Sequence, residues 1–295
     1  MRDAGVMVSV IVLTYNHKKY IRQALDSILE QKTAFPYEIL VGDDCSSDGT
    51  SEIISRYAAQ YPGKLSVFIR PENVGATKNL YDLFQRAGGK YIASCEGDDY
   101  WCDPLKLQKQ IDFLENHPKY SGCTHACLIV DENGKAAANQ RLPWVCLKEH
   151  YTLRDFRGIY LPGQAATLVH RNFFLDTEHN YSIIHQASPM VADRTVVLIL
   201  TMSGPIRRLP ETMSCYRVPV NGGGENVTAT LFSNNADVNR MQYDLTRRLE
   251  RFAREEYKMT VNFAAFKLEQ RLKAWVKECW KRFVERKASS ADDCA

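Results

Sequence analysis

An α/β fold with a mostly parallel central sheet flanked by helices is predicted by three observations. Strand-length apolar runs alternate with helical periodicity in the order βαβαβαβ over about the first hundred residues, the connections are short, and two acidic clusters each directly follow an apolar run. Open α/β sheets bind ligands at the carboxyl ends of their strands, so the clusters mark the ligand edge.

Residues 8–13 form the first expected strand, ending at Thr14-Tyr15-Asn16, and residues 19–31 carry Ile21, Leu25, Ile28 and Leu29 at helical spacing. Pro36 separates that helix from a strand over 38–42. Ile53, Ile54, Tyr57 and Ala58 predict a helix over 51–61, and residues 65–69 a third strand. Leu80, Leu83 and Phe84 predict a helix over 77–86, followed by a fourth strand at 91–94. Pro104 opens a helix that Pro118 closes, with Leu107, Ile111 and Leu114 inward. A strand at 123–130 leads into the turn Asp131-Glu132-Asn133-Gly134. Residues 136–158 have no clear period and read as a substrate-facing insertion. Beyond them, 163–170 is strand-like, 190–202 helical, and 205–209 and 212–216 form short strands around Pro210. Gly222-Gly223-Gly224 reads as a mobile loop.

From Asn234 onward the pattern is long helix. Leu268, Leu272, Trp275, Val276, Cys279 and Phe283 share one side of a stretch whose other side carries Arg271, Lys273, Lys277, Lys281, Arg282 and Lys287. Such a face fits packing on the rest of the chain, a homodimer contact, or peripheral contact with an anionic membrane surface.

Charge excludes some classes. Lys and Arg number 38 against 35 Asp and Glu, a balance of +3 not gathered into one early basic tract; no zinc-finger spacing or aromatic-basic module appears, so no nucleic-acid partner is expected. The nine cysteines show no paired framework, and Cys95, Cys123 and Cys127 lie in or near apolar elements. Reduced thiols predict a cytoplasmic protein, with peripheral attachment to the inner face of the plasma membrane as the variant. The apolar runs at 6–13 and 195–202 are too short to span a bilayer.

The second cluster, Cys95-Glu96-Gly97-Asp98-Asp99-Tyr100-Trp101, carries the clearest chemistry. Side chains two apart in an extended segment point the same way, so Glu96 and Asp98 address one ligand. Paired carboxylates suit a hard divalent cation, Mn²⁺ or Mg²⁺, whose remaining oxygen ligands come from substrate phosphates; a diphosphate is implied. The plainer reading is a polar turn before Pro104. The first cluster, Val41-Gly42-Asp43-Asp44-Cys45-Ser46-Ser47-Asp48-Gly49-Thr50, holds what a turn and helix cap need, with Asp48 or Thr50 capping the next helix. Asp44 at a strand edge also suits a ribose hydroxyl or a base N–H. Thr14-Tyr15-Asn16-His17 stands where a dinucleotide fold has its glycine-rich loop, and no GxxxxGK[ST] occurs, which argues against NAD and P-loop chemistry.

Taken together, Val10-Ile11-Val12-Leu13-Thr14-Tyr15-Asn16, the Asp43-Asp44 block, Asn73-Val74-Gly75 with Asn79, and Glu96-Gly97-Asp98-Asp99-Tyr100-Trp101 leading to Pro104-Leu105-Lys106-Leu107 resemble the bacterial family 2 glycosyltransferases of GT-A fold. The resemblance covers residues 8 to about 120. It implies a catalytic domain over 1–233, with a nucleotide-sugar half (1–120) and an acceptor half (121–233), and a helical basic amphipathic extension over 234–295.

The resemblance further implies a donor site built from Thr14, Tyr15, Asn16, Asp43, Asp44, Asn73, Gly75, Lys78, Glu96, Gly97, Asp98 and Arg217. In it Asp44 contacts the nucleobase with Asp43 in support, and Glu96-x-Asp98 is the DXD motif, with metal at Asp98 and Glu96. Glu stands there for the usual Asp, keeping the charge on a longer arm. Asp193, ahead of the Cys215-Tyr216-Arg217 segment, is the implied catalytic base. Many relatives carry a His soon after Tyr-Arg; Val218-Pro219-Val220-Asn221 replaces it, leaving Arg217 and the glycine loop to cover the diphosphate. The implied reaction is inverting transfer from a nucleotide sugar, a UDP-sugar foremost, to a saccharide or lipid-linked saccharide. His170, His185 and Trp144 are weaker acceptor-side candidates, each more often a packing residue. A sugar nucleotidyltransferase and an inactive nucleotide-sugar-binding scaffold remain the alternatives.

Overall fold

Val8, Val10 and Val12 share one face of the first strand and Ser9 and Ile11 the other, all fully buried or nearly so; burial on both faces is why the segment reads as one apolar run. The computed structural model describes residues 5–157, 160–189, 191–218, 236–276 and 278. The chain forms two compact units, residues 1–221 and 222–295. The expected boundary at 233 and the stretch Gly222 to Gly224 lie outside the described residues.

In the first unit β1 (Val8–Thr14), α1 (Ile21–Leu29), β2 (Tyr37–Asp43), α2 (Thr50–Gln60), β3 (Leu65–Ile69), α3 (Ala76–Arg86) and β4 (Tyr91–Glu96) follow one another as expected. Then come β5 (Tyr100–Trp101), α4 (Lys106–Asn116), β6 (Gly122–Val130), β7 (His150–Tyr151), β8 (Val169–Arg171), α5 (Ile183–Gln186), α6 (Asp193–Ser203) and β9 (Ile206–Arg217). They make one central sheet flanked by helices, ordered β3-β2-β1-β4-β8-β6-β9-β5, with β7 on β9. The long ladders, β1 with β2 and β4, β2 with β3, and β6 with β9, are parallel; the short ones at β5, β7 and β8 are antiparallel. Ile21, Leu25 and Ile28 of α1 and Ile53 and Ile54 of α2 pack into the same core as Val10, Ile39 and Val41.

Two segments differ from expectation. Residues 163–170 are not one strand: the Gln164 side chain accepts the Ala166 N–H and winds Ala165–Thr167 into a 3-10 turn before β8. The two short strands around Pro210 are instead the single strand β9. Its register against β6 slips between Thr124, opposite Arg208, and Ala126, opposite Thr212, so Pro210 occupies the extra residues of a bulge, where its missing N–H leaves the ladder intact.

In the second unit α7 (Ala236–Glu256) buries Leu245, Leu249, Phe252 and Ala253, and residues 264–276 are again helical. The Glu250 carboxylate joins the two, accepting the Phe263 N–H at 2.8 Å and pairing with Lys267 at 2.6 Å. Leu268, Leu272, Trp275 and Val276 are 53–63% exposed. Cys279, Phe283 and the lysines beyond Lys273 lie outside the described residues. Among the described residues, no helix is long and apolar enough to cross a membrane.

Candidate active site

Strand order brings the two acidic clusters to one edge. β1 lies between β2 and β4, with Thr14 opposite Asp43 and Leu13 opposite Glu96, so the clusters leave the sheet two strand spacings apart, about 10 Å, on either side of Thr14. Asn16 and Cys45, in the loops after β1 and β2, both hold left-handed backbone at φ 55° and 67°. Non-glycine residues adopt it at a cost, which the surrounding hydrogen bonds offset.

Those bonds zip the two loops together. The Asn16 N–H donates to Ser46 Oγ and Asn16 Oδ1 accepts from the Ser47 N–H, both at 2.9 Å, while Asp48 accepts the N–H groups of Lys18 and Thr50. Asp48 thus serves the start of α2 from the position before Gly49. Asp43 is fully buried and accepts from the hydroxyls of Ser46 and Ser51. The Asp44 carboxylate, 4% exposed, accepts Val74 N–H at 2.8 Å and Gly75 N–H at 2.9 Å, pinning the loop ahead of α3. Asn73 Oδ1 shares the Gly75 donor at 3.1 Å. A carboxylate offers about four lone-pair sites, so Asp44 keeps acceptor capacity beyond these two bonds.

The second cluster is built oppositely. Glu96 and Asp98 are half-buried and Asp99 is buried, and among the described residues no Lys or Arg ion pair offsets the three. Burial and then the charges of Asp98 and Asp193 push the Glu96 carboxyl up to about 8. Burial, Asp98 and Glu96 push Asp99 well above the usual carboxylate range, against the Arg217 N–H and Gln164 that bond it. Asp193 opens α6, its Oδ1 accepts the Arg194 N–H at 2.7 Å, and its carboxyl is raised by burial although Arg194 opposes the shift. Its charge helps to raise Glu96, which places the two carboxyls in one electrostatic neighbourhood.

A cation fits this donor set: hard oxygen ligands whose mutual repulsion a divalent ion relieves. Among the described residues no three His, Cys, Asp or Glu side chains converge to hold one unaided. Thr14 Oγ1 and His17 Nδ1 are buried without a hydrogen-bond partner among the described residues, and stand 2.9 Å and 2.8 Å from where a Cβ on Gly97 would lie. His17 Nε2 is 4.0 Å from Asp98 Oδ2.

Other expected donor-site residues are placed differently. Arg217 does not present its guanidinium to the edge: it is 3% exposed and donates to Asp98 O, Asp131 O and Gln23 Oε1 while lying over the Tyr20 ring at 4.3 Å. Its backbone N–H holds Asp99 Oδ1 at 2.9 Å. Lys78 pairs with Asp82, which also takes Arg70 at 3.0 Å. Tyr15 is 37% exposed. His170 is buried and stacked on Phe173, His185 meets the Tyr81 ring, and Trp144 packs edge-on to Tyr216.

Sequence reasoning missed Gln164, whose Nε2 donates to Asp99 Oδ2 at 2.7 Å and reaches Glu96 Oε2 at 3.4 Å, because only the 3-10 turn brings it there. It also passed over His17, although that residue follows the strand end directly.

A profile of glycosyl transferase family 2 matches residues 9–176, more than half of the chain. The chain belongs to glycosyl transferase family 2. Rv1520, an uncharacterized protein of Mycobacterium tuberculosis, is 35% identical over 224 residues, covering 73% of this chain and 60% of Rv1520. The alignment therefore spans about 60% of the length of the curated relatives matched over most of this chain. Among solved structures, Staphylococcus aureus TarS with UDP-GlcNAc superposes with TM-score 0.59 at 20% identity, over 86% of this chain and 74% of that one. The mannosyltransferase PcManGT of Pyrobaculum calidifontis, with GDP-Man and Mn²⁺, gives 0.51 at 16% identity, over 95% and 90%. The family 2 fold is that of these GT-A neighbours.

Proposed function

We propose that this family 2 protein is an inverting glycosyltransferase that moves a sugar from a nucleotide-diphosphate sugar, a UDP-sugar foremost, to a hydroxyl of a saccharide or lipid-linked saccharide in polysaccharide or glycolipid synthesis. One observation carries the reading: burial and then the charges of Asp98 and Asp193 raise the Glu96 carboxyl to about 8, beside Thr14 Oγ1 and His17 Nδ1, which have no hydrogen-bond partner among the described residues. Such crowding destabilises an empty site and is relieved by a cation and its ligand. The neighbours with UDP-GlcNAc and with GDP-Man and Mn²⁺ support a nucleotide sugar and a divalent ion.

In this reading Asp98, with Glu96 beside it, holds Mn²⁺ or Mg²⁺. The bound ion supplies charge neutralisation for the departing diphosphate. Asp44 keeps its loop closed through Val74 and Gly75 and uses its remaining lone pairs for the nucleobase, with Asp43 bracing it; Thr14, Tyr15, Asn16, Asn73 and Gly75 border the nucleotide. Gly97 lets the chain pass close to Thr14 and His17. Asp193 takes the acceptor proton, and its raised carboxyl strengthens it as a base. Arg217 acts by positioning Asp98 and Asp99, and Lys78 reaches the donor only by leaving Asp82.

A panel of nucleotide sugars tested for Mn²⁺-dependent thermal stabilisation and for nucleoside diphosphate release checks the proposal. Stabilisation and release with one donor are expected. Pyrophosphate release from a nucleoside triphosphate and a sugar phosphate would replace it with the nucleotidyltransferase reading.

A further inference from the structure

The second unit turns one face of its second helix inward and leaves an apolar stripe on the opposite face. Residues 264–276 run antiparallel to α7: the beginning of the helix meets Glu250 through the Phe263 N–H and Lys267, and at its far end Arg240 of α7 stands 3.7 Å from Glu278. Phe263, Phe266 and Gln270, three and then four residues apart, share one side and are buried. Leu268, Leu272 and Val276, each four residues on from the last, fall on the other side with Trp275, and all four are more than half exposed. A helix covered on one side by its partner needs one apolar stripe; here the second stripe has no counterpart among the described residues. Large apolar side chains gathered so closely form a patch rather than scattered exposure, and such patches mark interaction sites.

The same stretch of sequence is basic. Residues 264–287 hold eight Lys or Arg against three Glu. Within the described helix Lys267 pairs with Glu250 and Lys273 with Glu269, while Arg271 has no ion pair among the described residues.

We propose that this face docks on an anionic lipid bilayer, the helix lying in the plane of the headgroups with Leu268, Leu272, Trp275 and Val276 at the acyl boundary and its cationic side chains against lipid phosphates. Two features select lipid over a second copy of the chain. Pairing two such faces about a two-fold axis sets one basic segment against another, whereas an anionic leaflet attracts each Lys and Arg that comes near it. Trp275 has an apolar ring and one N–H donor, which suits a boundary that is apolar on one side and wet on the other. The helix rests on the surface and does not cross it, because charged residues alternate with the stripe along its whole length.

Cosedimentation of the full chain with lipid vesicles tests the surface. Binding is expected to vesicles of phosphatidylcholine mixed with phosphatidylglycerol, with little to phosphatidylcholine alone and a steep fall as salt rises. On binding, the fluorescence that Trp275→Phe removes should shift to the blue. Leu272→Ser combined with Trp275→Ser, both at exposed positions, should keep the wild-type melting temperature and weaken binding to the mixed vesicles by about tenfold or more. Absence of binding to the mixed vesicles would overturn the proposal, as would equal binding by the double variant. Equal binding to both vesicle types would overturn the requirement for anionic lipid. A concentration-dependent dimer that the double variant dissolves, without vesicle binding, would assign the face to a second copy instead.

Discussion

The ends of β2 and β4 carry the same residue types in nearly the same order, yet they differ in what their carboxylates meet. At the β2 end Asp43 has two serine hydroxyls, Asp44 two backbone N–H groups and Asp48 two more, so each charge is solvated by the protein. At the β4 end Glu96 and Asp99 share one Gln164 amide, Asp99 has the Arg217 N–H besides, and burial with like charges still drives both carboxyls upward. A carboxylate that accepts several fixed donors is held as scaffold; one crowded by others is waiting for positive charge. The two strand ends, on either side of β1, thus differ: the first shapes the loops, and in the proposed reading the second meets the cation and the reacting groups.

The sharpest test sets Asp193 against Asp43. Asp193→Asn should lower turnover about 10²–10⁴-fold while leaving nucleotide-sugar binding by calorimetry unchanged, as loss of a general base does. Asp43→Ala should instead lower unfolding free energy by about 1–3 kcal/mol in urea titration, the cost of stranding buried donors, with turnover per folded molecule largely kept. Unchanged stability and lost turnover in Asp43→Ala would break the division between the clusters.

Glycines at the two strand ends offer a smaller contrast. A Cβ on Gly42 would lie 2.5 Å from Asn79 Oδ1 and 2.9 Å from Leu83 Cδ1, so Gly42→Ala pushes α3 off the sheet; a loss of about 1–3 kcal/mol is expected in denaturant titration. A Cβ on Gly97 meets instead Thr14 Oγ1 and His17 Nδ1, neither with a hydrogen-bond partner among the described residues. Gly97→Ala should therefore reduce nucleotide-induced thermal stabilisation more than it reduces the melting temperature of the free protein. Equal effects on both quantities would make Gly97 a packing residue like Gly42.

Much of this was legible in the sequence. Strands buried on both faces announce themselves as continuous apolar runs, and every element from β1 to β4 lies within a few residues of its expected place. The acidic clusters could be placed at one edge because parallel strands fix which ends are neighbours. What was illegible depends on side-chain direction and on long-range pairing. Nothing local in Gly163-Gln164-Ala165 signals that Gln164 turns toward Asp99, and Pro210 concealed a bulge by mimicking a break. Arg217 has the composition of a phosphate contact, but its guanidinium finds Asp98 O, Asp131 O and Gln23 first. The motif supplies the residue; the tertiary fold decides which way its charge faces.

The smallest expected effect is also the most direct reading of crowding. Burial and neighbouring charge push the Glu96 carboxyl up to about 8 in the folded protein from its ordinary 4.5, so between those values the folded state holds the extra proton. Stability then falls as pH rises through that window, the reverse of a salt-bridged carboxylate. Glu96→Gln removes this proton and also relieves Asp99, one of whose elevating charges is Glu96. In metal-free protein the loss of urea stability between about pH 5 and about pH 8 should therefore be shallower in Glu96→Gln by about 1–2 kcal/mol, a fraction of the single-site linkage because the carboxyls share one repulsion. Mn²⁺ should flatten the wild-type slope in the same way and release protons on binding, which calorimetry in buffers of different ionisation enthalpy measures. Parallel slopes in the two proteins would mean that Glu96 is as well solvated as Asp43, and the contrast between the strand ends would fail.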